Sequence, residues 1–104
     1  LFDSNLQIKN KPELIVTSFK LNEPYPNPFN PIIQIHYEIL QPGIISLLIF
    51  DLQGNLVDPI HNKTFHNSGL HKVQWSGSNK SSGVYFIVLR GSESETIKKV
   101  VLLK

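Results

Sequence analysis

The alternation of apolar and polar residues along the chain predicts an all-β protein. The clearest segment runs from residue 33 to residue 39, where every second side chain is apolar: Ile33, Ile35, Tyr37 and Ile39. A period of two residues is typical of a strand with one buried face. No stretch of ten residues shows a helical period free of glycine or proline, so we expect essentially no helix.

Six further segments have strand-like patterns. They are 13–21, 44–51, 55–58, 70–75, 84–90 and 96–103. All the prolines and glycines fall between these apolar runs, as expected because proline lacks the ladder N–H and glycine weakens a strand interior. The alternation places side chains on shared strand faces, with the face of Trp75 predicted to be core: Ile45, Leu47 and Ile49; Val73 and Trp75; and Tyr85, Ile87 and Leu89. About seven short antiparallel strands in a chain of this length predict an Ig-like β-sandwich.

Two stretches between the strands are irregular. Residues 22–31 contain four prolines in ten residues and predict a stiff, extended connector, whose Tyr25 and Phe29 plug one end of the sandwich. Residues 58–69 are polar and predict a long loop with at most a brief strand at 63–65. Residues 1–12 are predicted to be a linker from an upstream domain, which leaves 13–104 as the folded domain.

Composition limits the classes of function. The chain has 104 residues, 40% of them hydrophobic, which is enough for one domain with its own core. It has no cysteine, which excludes disulfide scaffolds, thiolate catalysis and cysteine-ligated zinc. The formal net charge of +2 is too small for a nucleic-acid binder. No run approaches 18 apolar residues, so we expect no membrane-spanning segment. The chain begins at Leu1 and its first dozen residues resemble a linker, so we interpret it as a fragment of a longer polypeptide.

The residues that could support chemistry are better explained as structural. His61, His66 and His71 recur at five-residue steps, a spacing that does not by itself bring imidazoles to one metal ion, and His36 stands apart. We therefore expect no metal and no cofactor. The serines cluster in polar turns, and Glu93 and Glu95 lie in a turn where solvated charge is the ordinary interpretation. These patterns predict that the domain is not an enzyme.

The terminal strand, Lys98–Lys104, permits two interpretations. Both of its faces mix lysine with aliphatic residues, so the pattern does not show which face is buried. In the simpler interpretation it pairs with its neighbour and ends the sheet. In the other, a partner protein adds a strand to its free edge and uses the lysines for specificity.

Several motifs, taken in order, resemble the type A C-terminal sorting domain of the type IX secretion system. They are Tyr25–Pro31, Ile45–Gly54, Gly69, Val73–Trp75, Ser82–Phe86 and Lys98–Lys104, and together they span about residues 22–104. The resemblance implies an Ig-like domain at the end of an exported cargo protein. It also implies that the domain is recognised by an outer-membrane translocon and its shuttle protein. A surface cysteine peptidase then removes the tail in many members.

The resemblance places recognition on the residues that match the family's motifs. These are Pro26, Asn27, Pro28, Gly83, Tyr85, Lys98, Lys99, Val100, Val101, Leu102, Leu103 and Lys104. It implies passage through the periplasm to a secreted or cell-surface location, an upstream cargo domain, no nucleic-acid partner and a monomeric isolated domain. The alternative function is an Ig-like accessory or spacer module of a larger secreted enzyme, with carbohydrate binding if Trp75 is exposed.

Overall fold

The computed structural model describes residues 19–104, which form seven antiparallel strands in two sheets and contain no helix. The strands are β1 (Phe19–Leu21), β2 (Ile32–Ile39), β3 (Gly43–Asp51), β4 (Leu56–His66), β5 (Gly69–Ser76), β6 (Gly83–Arg90) and β7 (Glu95–Leu102). One sheet has the order β1-β2-β5 and the other the order β4-β3-β6-β7. The predicted all-β, Ig-like sandwich is confirmed. In this part of the chain no helix is long and apolar enough to cross a membrane.

The core lies between the two sheets and is formed by the alternating residues that the sequence predicted. Ile33, Ile35, Tyr37 and Ile39 of β2 are all buried. Facing them from the other sheet are the equally buried side chains of Leu47, Ile49, Ile87 and Leu89. Because β3 and β6 pair directly, these side chains lie in adjacent rows and fill the space between the sheets.

Strand β4 corrects one prediction. The predicted short strand at 55–58 and the loop at 58–69 are instead one eleven-residue edge strand, which pairs with β3 through an irregular register. Pro59 lies inside this strand, opposite Leu48, so the expectation that all prolines lie between strands is wrong. An edge strand tolerates proline and polar residues because one row of its backbone groups needs no partner strand. Lys63, with a φ of 55°, marks one of the irregularities.

The connector between β1 and β2 is bent rather than extended, with bends at 26–28 and 30–31. Phe29 is 1% exposed and plugs one end of the core, as predicted. Tyr25 is 53% exposed and instead packs edge-on against His36 on the surface, so that half of the prediction is wrong. The predicted linker at 1–12 and the predicted strand residues 13–18 lie outside the described residues.

Candidate recognition surface at the C-terminal strand

Strand β7 is an edge strand whose pairing with β6 settles which of its faces is buried. Val100 and Leu102 point into the core and are fully buried, whereas Ile97 and Lys99 point outward and are exposed. Lys98 shares the inward face, but at the rim of the core, where its ammonium group donates to the carboxylate of Glu23 at 2.7 Å. The sequence could not indicate this ion pair because its two residues are 75 positions apart.

The structure brings all the predicted recognition residues into one region. In the β6–β7 register Gly83 lies opposite Leu102, and Tyr85 lies opposite Val100. Asn27, in the connector, reaches the free edge of β7. The motifs at the two ends of the sequence are therefore one structural unit, which we call the C-terminal surface: residues 24–31, 77–85 and 95–104.

The connector occupies the C-terminal half of the free edge of β7. The side-chain amide of Asn27 donates to the carbonyl of Lys99 at 3.1 Å and accepts from the N–H of Val101 at 3.0 Å. The backbone of Phe29 continues the pairing: its N–H donates to the Val101 carbonyl at 2.8 Å, and its carbonyl accepts from the Leu103 N–H at 3.0 Å. A partner strand added to this half of β7 would have to displace the connector, because these four backbone groups already have partners.

An aromatic cluster supports the surface from below. The rings of Phe29 and Trp75 are 5.7 Å apart, and those of Trp75 and Tyr85 are 5.4 Å apart. Trp75 is only 3% exposed, and its indole N–H donates to the Asp58 carboxylate at 3.0 Å. The tryptophan is thus a core residue, as its strand phase predicted, and it offers no platform for a sugar. The alternative of a carbohydrate-binding module loses the residue on which it depended.

Two glycines and a tyrosine fix the start of β6. Gly83 has a φ of +154°, a conformation that L side chains rarely adopt. A Cβ on Gly77 would lie 2.7 Å from a methyl carbon of Leu102, so the turn before β6 can pack this closely only without a side chain. The Tyr85 hydroxyl donates to the Ser81 carbonyl at 2.6 Å, which ties the strand to the same turn, much as the tyrosine corner does in immunoglobulin domains.

The last residue, Lys104, is fixed to this turn by three hydrogen bonds. Its backbone N–H donates to the Ser82 hydroxyl at 2.9 Å. Its ammonium group donates to the carbonyls of Ser78 at 2.7 Å and Lys80 at 2.9 Å. The sequence placed Ser82 in a polar turn, but it could not identify the carbonyls of Ser78 and Lys80 as acceptors, because any residue type supplies a carbonyl.

Away from this surface, three histidines meet at the corner where the chain passes from β4 to β5. The ring centroids of His61 and His66 are 4.9 Å apart, and those of His66 and His71 are 4.8 Å apart, a proximity that the five-residue spacing did not by itself indicate. His66 is buried and bonded to the Tyr37 hydroxyl at 2.9 Å. Residues 19–104 nevertheless contain no group of three or more histidine or acidic residues placed to hold a metal ion.

Burial and the neighbouring imidazoles change the proton affinities at this corner. Desolvation lowers the pKa of His61 below its usual 6.5, and the charges of His66 and His71 lower it further. Burial raises the pKa of Tyr37 above 10.0. Both shifts favour the neutral forms of His61 and Tyr37.

The acidic residues predicted to be solvated are on the surface, where Glu95 forms an ion pair with Arg90 at 2.9 Å and both side chains are more than 40% exposed. A lone surface ion pair of this kind contributes little to stability and does not resemble a pair of catalytic carboxylates. This ion pair therefore adds no support for a catalytic role of Glu95.

Comparison with known proteins agrees with the geometry. No curated protein and no solved structure matches the chain significantly. Residues 23–103 match a family described as the secretion system C-terminal sorting domain. The match includes the connector and every strand from β2 to β7, and the family is one of targeting modules rather than enzymes. The chain belongs to the C-terminal sorting domains of the type IX secretion system.

Proposed function

We propose that this domain directs an attached cargo protein from the periplasm across the outer membrane through the type IX secretion system. The observation that carries the proposal is the family match over residues 23–103. The arrangement of the motifs supports it, because Asn27 and Gly83 both contact the terminal strand although they are far apart in sequence. A partner that recognises this surface would read the folded domain.

The proposed contact residues differ in burial. Tyr85, Val100 and Leu102 are buried, so they hold the surface in shape and leave no side chain for a partner. Lys99 and Leu103 are exposed and are available for contact. We assign direct contact to the exposed group, with an outer-membrane translocon and its shuttle protein as partners and a surface cysteine peptidase acting afterwards.

The test is export of a reporter. The full chain is fused after a periplasmic reporter and expressed in a type IX-competent strain and in the same strain lacking the translocon. We expect the reporter outside the cell only in the competent strain. A second fusion lacking Lys98–Lys104 is expected to remain in the periplasm. Equal export of the two fusions, or export without the translocon, would refute the proposal.

Deleting Lys98–Lys104 also removes core residues, so a loss of export could result from unfolding. A point variant is therefore needed to separate recognition from folding. Leu103→Ser changes a side chain that is 55% exposed and keeps its backbone bond to Phe29. The matched control is Leu70→Ser, where the leucine is 69% exposed on β5. We expect reduced export for the Leu103 variant alone, with both purified variants melting within a few degrees of the parent.

A further inference from the structure

The outer faces of the two sheets differ sharply in polarity. The outward positions of the three-stranded sheet are mostly polar: Lys20, Gln34, His36, Glu38, Lys72 and Gln74. Those of the four-stranded sheet are mostly apolar and differ in exposure: Leu48 and Val88 are buried, Phe50, Val84, Phe86 and Val101 are half-buried, and Ile97 is exposed. An antiparallel sheet with one solvated face normally alternates apolar and polar residues, as the smaller sheet does. The larger sheet therefore has a second apolar face that the core does not use.

The strand register shows that these apolar residues are contiguous. Directly opposed residues lie on the same side of a sheet, so Leu48, Val88 and Ile97 form one row across β3, β6 and β7. Phe50, Phe86 and Lys99 form the next row. We call these two rows, with Val84 and Val101 in the row beyond, the outer apolar face. A groove of about 380 Å³ runs along it, bounded by Leu52 and Ile97, which are 63% and 52% exposed.

Among residues 19–104, one charge on this face has no opposite charge beside it. Arg90 is paired with Glu95, and the Asp51 carboxylate, at the far end of the groove, accepts hydrogen bonds from its own turn. Lys99 lies opposite Phe86 and, within residues 19–104, its side chain forms no ion pair or hydrogen bond. Covering Lys99 with a purely apolar surface would cost free energy, because its ammonium group would lose water without gaining a partner. The face thus suits an apolar surface that supplies an acidic group.

We propose that the outer apolar face docks on a component of the export machinery that presents apolar side chains around a carboxylate placed opposite Lys99. This inference rests on the proposed function and adds to it a defined contact face and the chemistry of its partner. Apolar patches that reach the surface mark interaction sites on soluble proteins, and here Leu52 and Ile97 are the exposed members beside the half-buried rings of Phe50 and Phe86. Since the connector occupies the C-terminal half of the free edge of β7, we place the contact on the sheet face.

The experiment compares the same charge reversal on the two outer faces. Lys99→Glu places a negative charge on the apolar face, and Lys72→Glu does so at an exposed position on the polar face. Both are made in the full-chain reporter fusion, together with Phe86→Thr, which removes the central ring. Like charges brought together at an interface are strongly unfavourable, so we expect Lys99→Glu to lower export about tenfold or more. Export of the Lys72 variant is expected to stay within about twofold of the parent.

The outcomes separate the two proposals. If the parent fusion is exported and Lys99→Glu behaves like Lys72→Glu, the docking face is refuted and the sorting function stands. If the parent fusion is not exported, the sorting function fails and this inference fails with it. Circular dichroism and thermal melting of the purified variants show whether they fold. If Lys99→Glu does not fold, Lys99→Gln is used in its place. A concentration-dependent dimer in sedimentation, abolished by Phe86→Thr, would assign the face to a second copy and overturn the proposal.

Discussion

Replacing Asn27 by alanine tests whether the connector clamps the terminal strand. The substitution removes the amide that bonds both the Lys99 carbonyl and the Val101 N–H. It leaves the backbone pairing of Phe29 with Val101 and Leu103 in place. The change should therefore loosen one half of the clamp without unfolding the domain.

The magnitude follows from two hydrogen bonds at an exposed site. Each hydrogen bond contributes about 0.5–1.5 kcal/mol net, and because water reaches both backbone groups in the variant, the lower half of that range applies. We expect the free energy of unfolding to fall by about 1–2 kcal/mol. For a domain of this size, each kcal/mol corresponds to a decrease of roughly 4–8 °C in Tm.

Urea denaturation measures the global effect, and amide hydrogen exchange measures the local one. The Val101 N–H should exchange about 5–30 times faster in the variant, in proportion to the lost free energy. The N–H of Val100 points toward β6 instead, since neighbouring residues of a strand alternate, and it should change less. Asn62→Ala is the matched control, because Asn62 is exposed on the other edge strand and its side chain forms no hydrogen bond within residues 19–104.

The reasoning fails if Asn27→Ala and Asn62→Ala change the stability equally. It also fails if the substitution speeds the hydrogen exchange of the Val101 N–H no more than that of the Val100 N–H. Either result would mean that the amide of Asn27 does not hold the edge in solution.

Three further substitutions test the core and the histidine corner. Trp75→Ala should lower the free energy of unfolding by about 3–5 kcal/mol, because the ring is almost fully buried; a loss under about 1 kcal/mol in urea titration would place it at the surface. Tyr85→Phe removes only the bond to the Ser81 carbonyl and should cost about 1 kcal/mol, an expectation that an unchanged urea midpoint would contradict. The pKa of His61 is lowered in the folded state, so the unfolded chain binds its proton more readily, and stability should fall as the pH drops below about 6.5. His61→Gln should flatten this dependence between pH 7.5 and 5.5, and identical slopes for the two proteins would exclude His61 as its source.

The strands that could be predicted from sequence are those with one buried face. In β2 the alternation was complete, and the predicted inward residues are all buried. Strand β4 could not be predicted because its pairing with β3 is irregular, so its apolar residues follow no period of two, and Pro59 resembled a loop residue. Tyr25 and Phe29 looked equivalent in the sequence, but the bends at 26–28 and 30–31 bury only Phe29.

The sequence motifs identified the residues of the candidate surface, but the sequence did not indicate how these residues contact one another. Nothing in the sequence connected Asn27 to β7, because a side-chain amide that bonds backbone groups leaves no pattern in the partner strand. The sequence could not show which face of β7 is buried, because lysines occur on both faces. The ion pair between Lys98 and Glu23 explains why a lysine lies on the inward side. The convergence of the histidines depended on the sheet-to-sheet corner after His66, which a five-residue spacing does not specify.

The construction of the two edges of the larger sheet has a consequence for solubility. Long, regular edge strands act as templates on which other chains polymerise into fibrils. In this domain the C-terminal half of the β7 edge is occupied by the connector, while Pro59, which lacks an N–H, and the left-handed Lys63 interrupt the β4 edge. The molecule can therefore keep an apolar face for recognition and still resist edge-to-edge aggregation when many copies are crowded together.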